Sequence, residues 1–381
     1  MSRQLGGFAV AATAALILAS AVWMRSGDDQ HLSSIATAQD PANGATEVKR
    51  GAYLTRAGNC MACHSARGGE PYAGGRPIPT PFGTIYSTNL TPDVATGLGG
   101  WSRDDFWRAL HHGESKDGRL LYPAFPYPSL TRVSRADSDA MFAWLQAQPA
   151  VQRAPTPNEV RWPYSTQAAL AVWRALYFKP ATFAADPTRS TEWNRGAYLV
   201  QGLGHCAACH APRDALGGTQ DRMTLSGGKL PAQPWYAPSL IAADEAGLTK
   251  DTTAAFIQLM QTGVAANGVA IGPMAEVVQH STQHLSSEDT AAMADYLLSL
   301  AVPASAQPAA PANAPAPTAP TAAKADLGAK RYEEHCAQCH GAQGEGVSRA
   351  YPALAGSRAV QLAQVTNLVQ VMLYGGFAPA T

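Results

Sequence analysis

Six cysteines in this chain fall into three copies of one pattern, each closed by a histidine. The copies are Cys60-Met61-Ala62-Cys63-His64, Cys206-Ala207-Ala208-Cys209-His210 and Cys336-Ala337-Gln338-Cys339-His340, and no cysteine is left over. Two intervening residues set the thiols about one helical turn apart, where both can add across the vinyl groups of a porphyrin. The adjacent histidine is then forced under the iron as proximal ligand. This reading assigns three covalent haems c. Cys60, Cys63, Cys206, Cys209, Cys336 and Cys339 hold the macrocycles, and His64, His210 and His340 hold the irons. Other chemistries fit worse. A structural zinc needs four ligands, whereas each cluster offers three. A thiol redox motif belongs to a strand–helix context, whereas helical stretches precede these copies. Structural disulfides leave the recurring histidine unexplained.

The elements that position the motifs repeat with them. Arg50-Gly51-Ala52-Tyr53-Leu54 precedes the first copy and Arg195-Gly196-Ala197-Tyr198-Leu199 the second, with a weaker version, Gly328-Ala329-Lys330-Arg331-Tyr332, before the third. An amphipathic helix follows each motif and ends in glycine. In the first unit Ser102 and Asp105 form a capping box and Gly113 stops the helix. Aligning the terminal glycines superposes Phe106, Trp107 and Leu110 on Phe256, Ile257 and Met260, and again on Leu368, Val369 and Met372. Met260 and Met372 are therefore expected to pack in cores. So are Met141 and Met293, on the closing helices 133–145 and 285–297.

A sixth iron ligand has to come from the loop between these helices. In the second unit that loop reads Ile271-Gly272-Pro273-Met274-Ala275, which makes the Met274 thioether the expected partner of His210. The equivalent residue of the first unit is Phe125, which cannot ligate iron; His111 and His112 are weaker candidates, better read as helix C-terminal residues. In the third unit the equivalent position falls beyond Thr381, so that unit is expected to be incomplete and unstable alone.

Lys and Arg number 28, as do Asp and Glu, so no net field points to nucleic acid. Charged residues are only 15%, with 34 glycines and 28 prolines, as suits loop-rich domains built around a large apolar cofactor. Residues 5–24 carry no charge and can span a bilayer, so residues 1–30 are expected to be an uncleaved anchor or, alternatively, a signal segment. Either places the body outside the cytoplasm. An Ala/Pro-rich stretch, 302–325, reads as a spacer that tethers the third unit. The connector 151–190 holds an apolar patch from Leu170 to Phe178, read as an inter-domain packing helix, with docking on a partner or membrane as the alternative.

The chain resembles the tri-haem cytochrome c subunits of bacterial membrane-bound dehydrogenases. These include quinoprotein alcohol dehydrogenases, flavin-dependent gluconate, sorbitol and fructose dehydrogenases, and the cytochromes that accompany molybdenum hydroxylases. The resemblance is carried by Gly83-Thr84-Ile85-Tyr86-Ser87-Thr88-Asn89, by residues 121–128, by Trp193 to Leu199 and by Gly272 to Val278. It implies an all-α chain of three class I cytochrome c domains in series, at 45–150, 191–301 and 326–381, the third incomplete. It also implies a subunit with no substrate site, which passes electrons from a catalytic dehydrogenase subunit to membrane quinone or a further cytochrome at the periplasmic face of the inner membrane. The resemblance further implies a Gly-Met-Pro methionine on the third haem, which this chain lacks. A rival reading is a peroxidase-like enzyme using an open first haem beside Phe125.

Overall fold

The computed structural model describes residues 41–219, 224–266, 268–302, 322–347 and 350–376. The hydrophobic stretch 5–24 and most of the spacer 302–325 lie outside the described residues. Among the described residues no helix is long and apolar enough to cross a membrane.

Each motif segment opens with a helix that runs into a short motif helix. In the first, α1 (Pro41–Ala57) leads to α2 (Cys60–His64), followed by α3 (Arg103–His112), α4 (Tyr127–Leu130) and α5 (Arg135–Gln146). The connector contributes α6 (Gln167–Tyr177). The second segment contains α7 (Thr191–Tyr198), continued by a π turn, then α8 (Ala207–His210), α9 (Thr253–Thr262), α10 (Pro273–His280) and α11 (Ser287–Leu300). The third contains α12 (Ala322–His335), α13 (Ala337–His340), α14 (Arg358–Gln361) and α15 (Thr366–Tyr374). Short strands accompany the helices of this mainly α chain. A three-stranded antiparallel ladder joins 77–80, 83–86 and 159–160, and two-stranded hairpins form at 228–237 and 264–269. The 77–80 and 83–86 strands of the ladder lie in the long excursion between His64 and Asn89, where Ile78, Thr84 and Ile85 favour extended backbone.

The capping box of α3 is present as read. The Ser102 hydroxyl accepts the Asp105 N–H at 3.1 Å, and the Asp105 carboxylate accepts the Ser102 N–H at 2.9 Å. Gly113 closes the helix at φ +62°. Met141, Met293 and Met260 are buried, as expected of core residues. Met372 is not: it is 72% exposed, as are its neighbours Leu373 and Tyr374 at similar levels. Its helix register matches that of Met260, but among the described residues no closing helix packs over it.

The repeated Arg-Gly-Ala-Tyr-Leu has a physical meaning at each position. Arg50 reaches Asp137 on α5 at 2.8 Å, and Arg195 reaches Asp289 on α11 at 2.8 and 2.7 Å. A Cβ on Gly51 would run into the carbonyl oxygen of Ala140, and one on Gly196 into that of Ala292. Glycine is what lets each entry helix lie directly on its closing helix. Leu54 and Leu199 are buried in the core. The tyrosines cross over. Tyr53 of the first segment donates to Asp289 of the second at 2.5 Å, and Tyr198 of the second donates to Asp137 of the first at 2.6 Å. Each tyrosine oxygen also accepts the N–H of the opposite closing helix's N-cap, Ser286 or Ser134, at 3.2 and 3.1 Å. Two aspartates thus each hold an arginine from their own segment and a tyrosine from the other. The third copy lacks this: Gly328 faces open space and Tyr332 donates to the Gly341 carbonyl of its own segment.

The third segment is nevertheless seated on the second. The Asn367 side chain, 6% exposed, accepts the Tyr236 N–H at 2.8 Å and donates to the Tyr236 carbonyl at 2.7 Å, as a neighbouring strand would. Arg358 donates to the Glu245 and Gly247 carbonyls. In the connector, α6 buries Leu170 and leaves Val172 and Leu176 exposed at 62 and 63%. It is a packing helix on one side and an uncovered apolar face on the other.

Two outcomes test this frame. Gly196→Ala should destabilise the protein by about 2–3 kcal/mol in denaturant titration, because helix backbones rather than a flexible tip must move. Burial by itself pushes the Asp289 carboxyl up, but hydrogen bonds from Arg195 and Tyr53 outweigh it and hold the group below the ordinary aspartate range. The unfolded chain therefore binds that proton more readily. The contribution is full above about pH 4 and is lost as pH falls through the lowered folded value. Asp289→Asn should cost about 3 kcal/mol at pH 7 and flatten the acid limb of the stability curve.

Candidate cofactor sites

The three motif histidines share one arrangement. Nδ1 of His64 lies 2.7 Å from the Thr88 carbonyl oxygen, that of His210 2.7 Å from Pro238 and that of His340 2.8 Å from Pro352. A ring nitrogen facing a carbonyl must carry the proton, so Nδ1–H donates and Nε2 keeps its lone pair for a metal. Burial also pushes the His64 and His210 imidazoles down, more than the carbonyl hydrogen bonds raise them. Both favour the neutral ligand form.

A backbone device brings each carbonyl to its ring. The main-chain oxygen of His64 accepts the Gly74 N–H at 2.7 Å, that of His210 the Gly227 N–H at 2.8 Å, and that of His340 the Gly346 N–H at 2.7 Å. All three glycines have φ between +72° and +78°. A Cβ on any of them would press on the segment that carries the acceptor, 2.5 Å from Thr88, 2.6 Å from Ser239 and 2.6 Å from Ala353. Two residues earlier Tyr72, Leu225 and Gly344 also have positive φ, and their carbonyls accept the N–H of Leu90, Leu240 and Leu354, all at 2.8 Å. Holding Tyr72 and Leu225 in the left-handed region stores strain that surrounding packing must offset; both are buried.

Different side chains then steady the acceptors. Beside Thr88, the buried Asn89 accepts from Thr91 and donates to Thr96 and to the Val151 carbonyl. Beside Pro238, Ser239 donates its N–H to Glu245 and accepts from Ile241 and Ala242.

The six thiols are free of disulfides. Burial, with a smaller push from the second cysteine of the pair, raises Cys60 and Cys206 to about 12. A thiol redox centre needs the opposite shift. An arginine caps the motif helix in two segments: Arg76 donates to the Ala62 carbonyl and Arg213 to the equivalent Ala208 carbonyl, each at 2.6 Å. Beside the third motif a cleft of about 550 Å³ is lined by Tyr332, Ala337 and Ala342 among others, which leaves room for a macrocycle on that side. The first two motifs are held against each other. His205, the residue before Cys206, lies 3.3 Å from the Gly58 carbonyl, and Ser281 donates to the Ala57 carbonyl at 3.0 Å.

Met274 stands in the first turn of α10, half-buried, and α10 packs on the first motif helix α2. The turn into it is made at Gly272, φ +54°, where the Trp235 ring takes the place of a side chain. Phe125 packs half-buried on the first core. His111 is stacked on Trp107, 4.4 Å between ring centres, with Nδ1 2.8 Å from the Thr131 carbonyl. The His112 carbonyl accepts from Arg174 at 2.5 Å. These contacts suit helix-end residues.

Sequence reading missed the glycine–carbonyl device. Its only trace is a Leu two residues after each acceptor, in Thr88-Asn89-Leu90, Pro238-Ser239-Leu240 and Pro352-Ala353-Leu354, at unequal distances from the motifs.

Paired thiols, a tautomer-locked histidine and small helical segments define a c-type cytochrome with more than one attachment motif. The model of the cytochrome c family matches residues 194–301 and 325–368. The chain is 40% identical to the gluconate 2-dehydrogenase cytochrome c subunit of Pantoea cypripedii, covering 91% of this chain and 81% of the relative. It is 38% identical to the cytochrome c subunit of the quinone alcohol dehydrogenase of Gluconobacter oxydans, over 88% of this chain and 72% of the relative. It is 34% identical to the fructose dehydrogenase cytochrome subunit of Gluconobacter japonicus, over 86% and 71%. The chain belongs to the cytochrome c family, among cytochrome subunits of dehydrogenases, and membership brings covalent haem c. Such subunits are electron-transfer components, not catalytic chains.

Gly227→Ala should cost about 1–3 kcal/mol through left-handed strain and contact with Ser239. Because the displaced segment carries the Pro238 carbonyl, the variant should also shift the reduction potential of a haem held at the second motif. Spectroelectrochemical titration against wild type measures that shift.

Proposed function

We propose that this chain is a tri-haem electron-relay subunit, with haems held at Cys60/Cys63, Cys206/Cys209 and Cys336/Cys339 in domains 45–150, 191–301 and 326–381. The observation that carries the reading is the threefold recurrence of the histidine Nδ1–carbonyl bond. Haem c, when bound, supplies a one-electron Fe(III)/Fe(II) couple; the chain supplies everything that fixes and tunes it. His64, His210 and His340 offer neutral Nε2 ligands. Met274 offers a thioether to the second iron, a pairing that raises the potential as an electron carrier requires. Phe125 leaves the first site without a loop ligand.

The donor is a catalytic dehydrogenase subunit. The relatives named as subunits of gluconate, alcohol and fructose dehydrogenases support this. The acceptor is membrane quinone or a further cytochrome, and the setting is the periplasmic face of the inner membrane, with residues 1–30 as anchor or signal. Attachment of haem c outside the cytoplasm fits that placement.

The test is to reduce the full-length haem-loaded protein with its co-purifying dehydrogenase and that enzyme's substrate. The expected result is uptake of three electrons per chain with no peroxide turnover. Peroxide turnover in the absence of the dehydrogenase would favour the enzymatic alternative. Met274→Ala should abolish the thioether-to-iron charge-transfer band of the oxidised protein and lower one of three potentials. An unchanged band would remove Met274 as a ligand.

A further inference from the structure

The first two motifs are built alike but differ in one charge. Arg76 and Arg213 cap equivalent carbonyls, Ala62 and Ala208, inside their motifs. Arg76 turns its other nitrogen to the Glu276 carboxylate at 2.7 Å, an ion pair that joins the first motif to the helix carrying Met274. Arg213 spends its other nitrogen on the Gly217 carbonyl at 2.9 Å. Among the described residues it has no carboxylate within ion-pair distance. Among the described residues the first motif therefore sees a cation and an anion that largely cancel, whereas the second sees a cation without a carboxylate partner.

Burial sharpens the contrast. Both members of the Arg76–Glu276 pair are about one-third exposed, so water screens what is left of their field. The Arg213 guanidinium is half-buried, and that burial pushes it down. A half-buried charge without a carboxylate partner acts at longer range than a screened pair.

We infer that Glu276 and Arg213 set an electrostatic step between the two haem sites, with the carboxylate holding the first potential down and the Arg213 guanidinium, bonded to carbonyls rather than to a carboxylate among the described residues, holding the second up. An added positive charge favours the ferrous iron over the ferric, so the sign follows from charge alone. Transfer of one electron from the first site, which is oxidised, to the second, which is reduced, is then downhill and breaks no bond. Glu276 and Arg213 act here as tuning residues and touch no substrate.

The inference rests on the haem reading, and the experiment separates the two. Full-length protein is titrated by spectroelectrochemistry, the second site being identified by its thioether band. Fewer than three one-electron waves in the wild type would sink the haem reading itself. With three waves present, Glu276→Gln should raise the first potential, and Arg213→Gln should lower the second. Glu276→Asp should stay close to wild type. Arg76→Gln with Glu276→Gln should bring the first potential back toward wild type, a cancellation that a packing defect would not produce. Unshifted potentials in the folded single variants, or a Glu276→Gln effect larger at the second site, would overturn the inference.

Discussion

A histidine that directly follows a cysteine pair has little freedom, because its backbone belongs to the same short motif segment as the two thiols. The protein therefore brings a carbonyl to the imidazole. It does so three times with one device, a main-chain bond from His64, His210 or His340 to a left-handed glycine, and a ring bond to Thr88, Pro238 or Pro352. The glycine is required because the acceptor segment passes where a Cβ would sit. Much of the rest follows from it. Strained Tyr72 and Leu225, the buried Asn89 network and the Glu245 clasp on Ser239 all serve to hold the acceptor segments in place.

Around this constraint the segments are joined in two ways. The first and second share a reciprocal interface in which Asp137 and Asp289 each take an arginine from one side and a tyrosine from the other. Removing either aspartate disturbs both segments, so the pair should behave as one cooperative body. The third segment uses a lighter attachment: an amide that mimics a strand at Tyr236 and an arginine on two carbonyls. Both contacts fall within nine residues of Pro238, the acceptor of His210. Seating of the third segment and support of the second histidine thus fall on one stretch of chain, 236–247.

The sequence was readable where chemistry is local. Cysteine spacing named the cofactor, the Ser102/Asp105 pattern placed a helix start, and repeat alignment put Met141, Met260 and Met293 in cores. Register alone misled at Met372, because burial depends on a covering element and not on helical phase. The repeated Arg-Gly-Ala-Tyr-Leu was visible, but nothing in it says that the tyrosine serves the neighbouring segment. The glycine–carbonyl device was hidden for a similar reason: its partners stand at different distances along the chain and meet only in space.

The central claim is that all three motifs, despite unequal surroundings, are haem-attachment sites of the same kind. Peptide mapping by mass spectrometry of the haem-loaded protein tests it most directly. Three peptides, containing His64, His210 and His340, should each carry one haem bonded through both cysteines. A peptide recovered with free thiols, or with haem on one cysteine only, would contradict the account.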